Sequence, residues 1–182
     1  MTERVGIAVS VECSRWDRAL ADAESLSRKA ASAALAAARR DGAELPPRAE
    51  LSLVLADDAL VRALNRRFRK KDRPTNVLAF PAHVRTWRPR PGWRSPPQPL
   101  GDVIVAFETS LGESTAQHKP LAHHLAHLVV HGTLHLVGYD HEAAEAATHM
   151  ERLEITVLAG LGIPDPYADL PDCYGTKVAR HG

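Results

Sequence analysis

The run His131-Gly-Thr-Leu-His-Leu-Val-Gly-Tyr-Asp-His141 carries side chains of a type and spacing suited to metal chemistry. His131 and His135 are four residues apart, so on a helix their imidazoles project from one face, a turn apart, and can share an ion. A glycine at position 138 takes a positive φ, ends the helix and turns the chain, which brings His141 back as a third ligand. Three histidines select a borderline ion of the zinc type, one per chain, with another divalent transition metal as the alternative, and leave a fourth position to water. Such a centre lowers the pKa of water toward about 7 or polarises a phosphoryl oxygen, and the spacing leaves open which role dominates.

The same spacing is the frame of the metzincin peptidases, H-E-x-x-H-x-x-G-x-x-H, except that Gly132 stands where the peptidase carries its glutamate base. The ligands match and the base is missing, which argues against proteolysis.

The histidines need a helix to hold them, and residues 120–137 supply its pattern. At 100° per residue, His123, His124, His127, His131 and His135 fall within an arc of about 120°, while Leu121, Leu125, Leu128, Val129, Gly132 and Leu136 fill the adjoining arc that packs on a sheet. His123 and His124 are expected at a solvated edge, and His127 is expected to support a ligand from behind. Asp140, beside His141, either orients an imidazole, accepts a proton or bonds to turn amides.

Strands are expected at Val5–Val11, Glu50–Leu55, Asn76–Phe80 and Leu100–Ala106, the last beginning after Gly101 as a turn residue. One helix is expected from about Trp16 to Arg40, and a second, capped by Asp57, with Leu60, Val61, Leu64 and Phe68 on its apolar side and a basic opposite face. A last helix, from about Glu142 to Leu161, places Ala146, Met150, Leu153, Val157 and Leu161 on one face. Residues 83–99 hold five of the 13 prolines, four arginines and two tryptophans with almost no aliphatic residue, and read as a surface insertion. Trp87 and Trp93 there offer stacking surfaces but are read as incidental to the loop.

A length of 182 residues is in the single-domain range, and 45% hydrophobic with 25% charged residues is the composition of a globular protein, not of a fibre or a disordered chain. One domain is expected over 1–168, followed by a short tail, 169–182. No run approaches the 18 or so apolar residues of a membrane span and the start lacks an apolar leader, so a cytoplasmic protein with no membrane contact is expected. Cys13 and Cys173 show no metal or redox spacing and are expected to be reduced thiols. The net charge of +1 hides an asymmetry: residues 62–94 hold 11 Lys or Arg against one acid, Asp72, and the rest of the chain is correspondingly acidic. A polyanion would be drawn to one side.

The signature H-G-x-L-H-L-x-G-Y-D-H is reproduced from His131 to His141. A second block runs from Leu64 to Pro81 (LNRRFRKKDRPTNVLAFP), a third is Leu100-Gly-Asp-Val-Ile-Val105, and Asp165-Pro-Tyr167 closes the set. On these blocks the chain resembles the YbeY family of bacterial endoribonucleases, also described as rRNA maturation factors, over most of its length. The resemblance implies an α+β fold, a small mixed sheet of about four strands packed with several helices. It implies His131, His135 and His141 as metal ligands and Arg69 as the catalytic arginine, a guanidinium suited to the charge on non-bridging phosphate oxygens. It implies single-stranded regions of rRNA precursors as substrate, at the 16S 3′ end, and the ribosomal small subunit or its associated factors as partners. Lys70, Lys71 and Arg73 are expected to bind RNA backbone without reading sequence. The insertion is longer and more basic than the family pattern. Two further readings stand beside this one: an RNA-binding assembly factor whose metal is structural and closed by a fourth ligand, and a hydrolase of another bond on the metzincin-like frame.

Overall fold

A computed structural model describes residues 4–82, 96–141 and 143–168. Four strands, β1 (Arg4–Val11), β2 (Arg48–Ala56), β3 (Val77–Pro81) and β4 (Gln98–Ala106), form one sheet in the order β1-β2-β4-β3. β1, β2 and β4 are parallel and β3 pairs antiparallel with β4, so the sheet is mixed and β3 is an edge. The helices are α1 (Arg15–Ala19), α2 (Ala23–Arg40), α3 (Asp58–Arg69), α4 (Phe107–Ala116), α5 (Leu121–Leu136) and α6 (Ala144–Gly160). The expected α+β fold is what the chain adopts.

Alternation decides which sheet face is covered. Leu51, Leu53, Leu55, Val103 and Val105 are buried on one side, where they join the buried face of α2, residues of α5, and Met150, Val157 and Leu158 of α6 in the main core. Ala30, Ala31, Ala34, Ala37 and Ala38 make the buried face of α2 shallow, which lets this helix lie close to α5. On the opposite side α3 covers a smaller cluster of Ala56, Val61, Leu78, Ile104 and Ala106. Asp57 caps α3 through its carboxylate, which accepts from Leu60 N at 2.9 Å.

Several boundaries differ from the sequence expectation. The single helix over 16–40 is two, because the chain turns extended at Leu20, placing Trp16 fully buried with its indole N–H donating to Ala56 O at 3.0 Å. Gly101 lies inside β4 rather than before it; its φ of +134° and the register shift between Glu50 and Leu51 mark a bulge, and any Cβ there would meet Phe80 O. β4 begins at Gln98, so positions 98 and 99 belong to the sheet and not to the insertion, whose residues 83–95, Trp87 and Trp93 among them, lie outside the described residues. Of the expected apolar side of α3, Leu60 and Phe68 are 39% and 57% exposed, because the helix covers only part of that sheet face. α6 starts at Ala144, two residues later than expected. The tail, residues 169–182, and with it Cys173, also lies outside the described residues; Cys13 is a buried free thiol.

α4 has no counterpart in the sequence reading. Its residues show no apolar periodicity, and its start is fixed by exchange with α3: Asp58 accepts from Thr109 N at 3.0 Å and from Thr109 Oγ1 at 2.7 Å, while Glu108 accepts from Asp58 N at 2.9 Å. Each helix N-terminus supplies a carboxylate to the other.

Gly132 sets the distance between α5 and the sheet. A Cβ at this position would stand 2.7 Å from Val103 Cγ1 and 3.3 Å from Val77 Cγ2. Val103 is fully buried and β-branched, so it cannot swing away. Gly132→Ala is therefore expected to destabilise the protein by about 1–3 kcal/mol from overpacking, exceeding the roughly 1 kcal/mol that alanine gains in helix propensity; urea unfolding measures the difference.

Candidate metal centre

α5 ends at Leu136, and Gly138, with φ +97°, reverses the chain just beyond it. The reversal puts one nitrogen each of His131, His135 and His141 within 4.8 Å of one another, with His131 and His135 half-buried and His141 exposed. The ring of His141 lies 5.7 Å from that of His131 and 5.0 Å from that of His135.

Both helical histidines are oriented from behind. His135 Nδ1 is 2.8 Å from the carbonyl of Tyr139, an acceptor only, so Nδ1 carries the proton and Nε2 the lone pair. His131 Nδ1 donates to Glu154 Oε1 at 2.8 Å, which leaves its Nε2 bare as well. The two Nε2 atoms face each other at 3.0 Å. Two lone pairs in that position repel each other unless a cation lies between them, and two nitrogens about 2.05 Å from a tetrahedral zinc would be roughly 3.4 Å apart. Burial, then the neighbouring His131, pushes the pKa of His135 below its ordinary value, which favours the neutral, ligating form at neutral pH. The donor set fits a borderline divalent ion.

Glu154 is the residue that sequence reasoning missed. It is 1% exposed on the inward face of α6, among Met150, Val157 and Leu158. Its second oxygen takes His127 Nε2 at 3.0 Å and the hydroxyl of Tyr167. Burial pushes the carboxyl up, but the hydrogen bonds from His127 and His131 outweigh it and hold the pKa down at about 2. Tyr167 is pushed above its usual range by burial and by this carboxylate. The signal was available: an acid within an apolar helical stripe is rarely buried without a partner.

His124 corrects an expectation too. Instead of a solvated edge it is 6% exposed, with Nε2 2.8 Å from Glu113 Oε2. Glu113 also accepts from Asn76 Nδ2 at 2.9 Å, and Asn76 Oδ1 accepts from Val77 N at 2.7 Å, so a helix histidine, α4 and the start of β3 are tied together. The bond from His124 lowers the pKa of Glu113 against the opposing effect of burial. His123 is half-buried.

A cleft of about 510 Å³ runs from the three histidines to the end of α3; Arg69, Thr75, Asn76 and Asp140 line it. The guanidinium of Arg69 donates to Ala79 O at 3.3 Å and lies 5.8 Å from the Phe80 ring. Lys70, in the left-handed conformation at φ 60°, ends α3, and Lys70, Lys71 and Arg73 are all exposed. Buried Asn65 pins this turn by donating to Arg73 O at 2.7 Å. Arg62 is paired with Asp72 at 2.8 Å, which leaves the cations beyond it facing solvent. Tyr139 is anchored at its far end: its hydroxyl donates to Asp41 Oδ2 at 2.6 Å, and His149 Nε2 is 2.7 Å from the same oxygen. These bonds hold the pKa of Asp41 below the usual carboxylate range. Gly132 lies under this site with no room for the side chain of a peptidase base.

The family model described as Endoribonuclease YbeY matches residues 11–162. The chain belongs to the YbeY endoribonuclease family. Among YbeY relatives, the Endoribonuclease YbeY of Azorhizobium caulinodans is 55% identical over 166 residues, 89% of this chain and 96% of its own. That of Paramagnetospirillum magneticum is 50% identical over 171 residues, 93% and 99% of the two chains. A solution structure from Thermotoga maritima, 21% identical, covers 87% of this chain and 92% of its own with a TM-score of 0.50, a likeness of fold. The YbeY match contains the three histidines, Arg69 and Glu154, while Tyr167 lies just beyond it. Among the described residues no helix is long and apolar enough to cross a membrane.

Proposed function

We propose that this protein is a metal-dependent endoribonuclease directed at single-stranded RNA, acting on rRNA precursors at the 16S 3′ end and in ribosome quality control. The observation that carries this reading is the convergence of three histidine nitrogens with Arg69 in one cleft. His131, His135 and His141 would hold one zinc ion, or another divalent transition metal. A bound ion supplies Lewis-acid polarisation of a phosphoryl oxygen and a more acidic water. The chain's own residues do the rest. Glu154 and the Tyr139 carbonyl orient two ligands, and Arg69 binds the non-bridging oxygens of the scissile phosphate. Lys70, Lys71 and Arg73 hold flanking phosphates. Asp140 at the cleft orients His141 or takes up a proton, and His127 buttresses Glu154. The setting is the cytoplasm, with the ribosomal small subunit or its associated factors as partners.

A structural metal would call for a fourth protein ligand. The Nε2 atoms of the nearest other helix histidines, His127 and His124, are engaged by Glu154 and Glu113, which favours the open site. The test compares metal-loaded protein with His135→Ala on an unstructured RNA. Loss of cleavage in the variant is expected, and equal activity of the two would refute the proposal.

A further inference from the structure

The aromatic residue just before Arg69 has no part in the site described above. Phe68 is 57% exposed, the most open of the large hydrophobic side chains among the described residues. Its ring is nevertheless held in place: it forms a T-shaped pair with Phe80, centroids 5.4 Å apart and planes inclined at 60°, and the Arg67 guanidinium carbon lies 5.2 Å from its centre. A ring fixed on a helix, with one aromatic neighbour and more than half its surface in water, is a platform and not a core residue.

Its surroundings are basic and continuous with the cleft. Arg66, Arg67, Arg69, Lys70 and Lys71 surround it in sequence, all exposed. Arg69 lines the cleft with the histidines, and Phe80 sits on β3 between Ala79 and Pro81, which line that cleft as well. β3 is the sheet edge, so a strand of RNA can cross it from the histidines to Phe68 without meeting another element of the sheet.

We propose that Phe68, backed by Phe80, stacks an unpaired base of the RNA next to the phosphate held by Arg69, and so makes the enzyme select single-stranded substrate. The proposal rests on the endoribonuclease reading. A guanidinium already lies against the π face, and an aromatic base offers the same kind of contact with more area. The base then takes the ring while Arg67 turns to the adjoining phosphate. A base paired in a duplex cannot reach the ring, because its faces are taken by stacking neighbours. Five exposed cations beside the ring favour a polyanion such as RNA over an apolar protein partner, which would have to bury or displace them.

The test measures affinity of the metal-loaded protein for an unstructured RNA, and for the same RNA with a single abasic nucleotide placed at each position in turn. Phe68→Leu keeps the apolar bulk but removes the π face, and Phe68→Tyr restores it. Phe68→Leu is expected to weaken binding about tenfold, Phe68→Tyr to bind like the parent, and thermal midpoint and metal content to stay unchanged in both. In the parent one abasic position weakens binding most, and in Phe68→Leu that position no longer matters. Unchanged RNA affinity of Phe68→Leu, including the case where it loses a protein partner instead, overturns the stacking proposal while leaving cleavage intact. A parent protein that neither binds nor cleaves the RNA overturns both this proposal and the reading beneath it.

Discussion

Glu154→Ala is expected to lower metal affinity about 10- to 100-fold, the range seen when an acceptor behind a ligating histidine is removed. The loss comes from orientation. Without the carboxylate, His131 no longer has a reason to keep its proton on Nδ1, and half of the site's pair of facing lone pairs disappears. Stability falls as well, because three donors, from His127, His131 and Tyr167, converge on one buried carboxylate and lose their shared acceptor; a buried donor left unsatisfied costs about 1–3 kcal/mol. Competition with a chromogenic chelator reads the first effect and thermal unfolding of metal-free protein reads the second. Acid sensitivity follows from the same group. Its folded pKa, held at about 2, lies below the unfolded value, so its stabilisation is present above the ordinary carboxylate pKa and drains away as pH falls toward 2. The metal-free parent should lose thermal stability over that interval, and Glu154→Gln should lack that component of the decline. A Gln variant with an unchanged acid profile and full metal affinity would show that Glu154 is merely packed.

Arg69→Ala is expected to reduce cleavage about 10²- to 10³-fold, the size of effect found when one preorganised donor to a developing anion is lost. Its side chain is exposed and makes one long hydrogen bond, to Ala79 O, so the folded protein has little invested in it. Metal content and thermal midpoint should therefore match the parent, which separates this variant from those of the histidines. Arg69→Lys should recover only part of the loss, since an ammonium cannot form the paired bonds of a guanidinium. Lys70→Ala or Lys71→Ala should act differently, weakening RNA binding modestly and flattening its salt dependence by about 0.7 per lost phosphate contact. A kcat that is unchanged in Arg69→Ala would reduce the residue to one more cation of the face.

The legible parts of this chain are those where the pattern is local. The i, i+4 histidines, the turn glycine and the third histidine lie within eleven residues, and the alternating strands show their period directly. Glu154 belongs to another class: its role depends on α6 crossing behind α5, a relation that no window along the chain contains. α4 was invisible because its ends are held by exchange with α3 and not by an apolar stripe. The break between α1 and α2 is the reverse case, where helix-forming residues yield to the burial of Trp16 against Ala56 and Phe107. His124 looked solvated because its partner, Glu113, sits on the helix that had not been foreseen.

The contacts that orient the site reach across the chain: Glu154 lies 23 residues beyond His131, and Asp41 lies 98 residues before Tyr139. A nascent chain ending near His141 already contains α2 and Asp41 but not α6, so it lacks the Glu154 carboxylate that orients His131. Under the proposed function, the fully oriented donor set is thus complete only once α6 has folded behind α5.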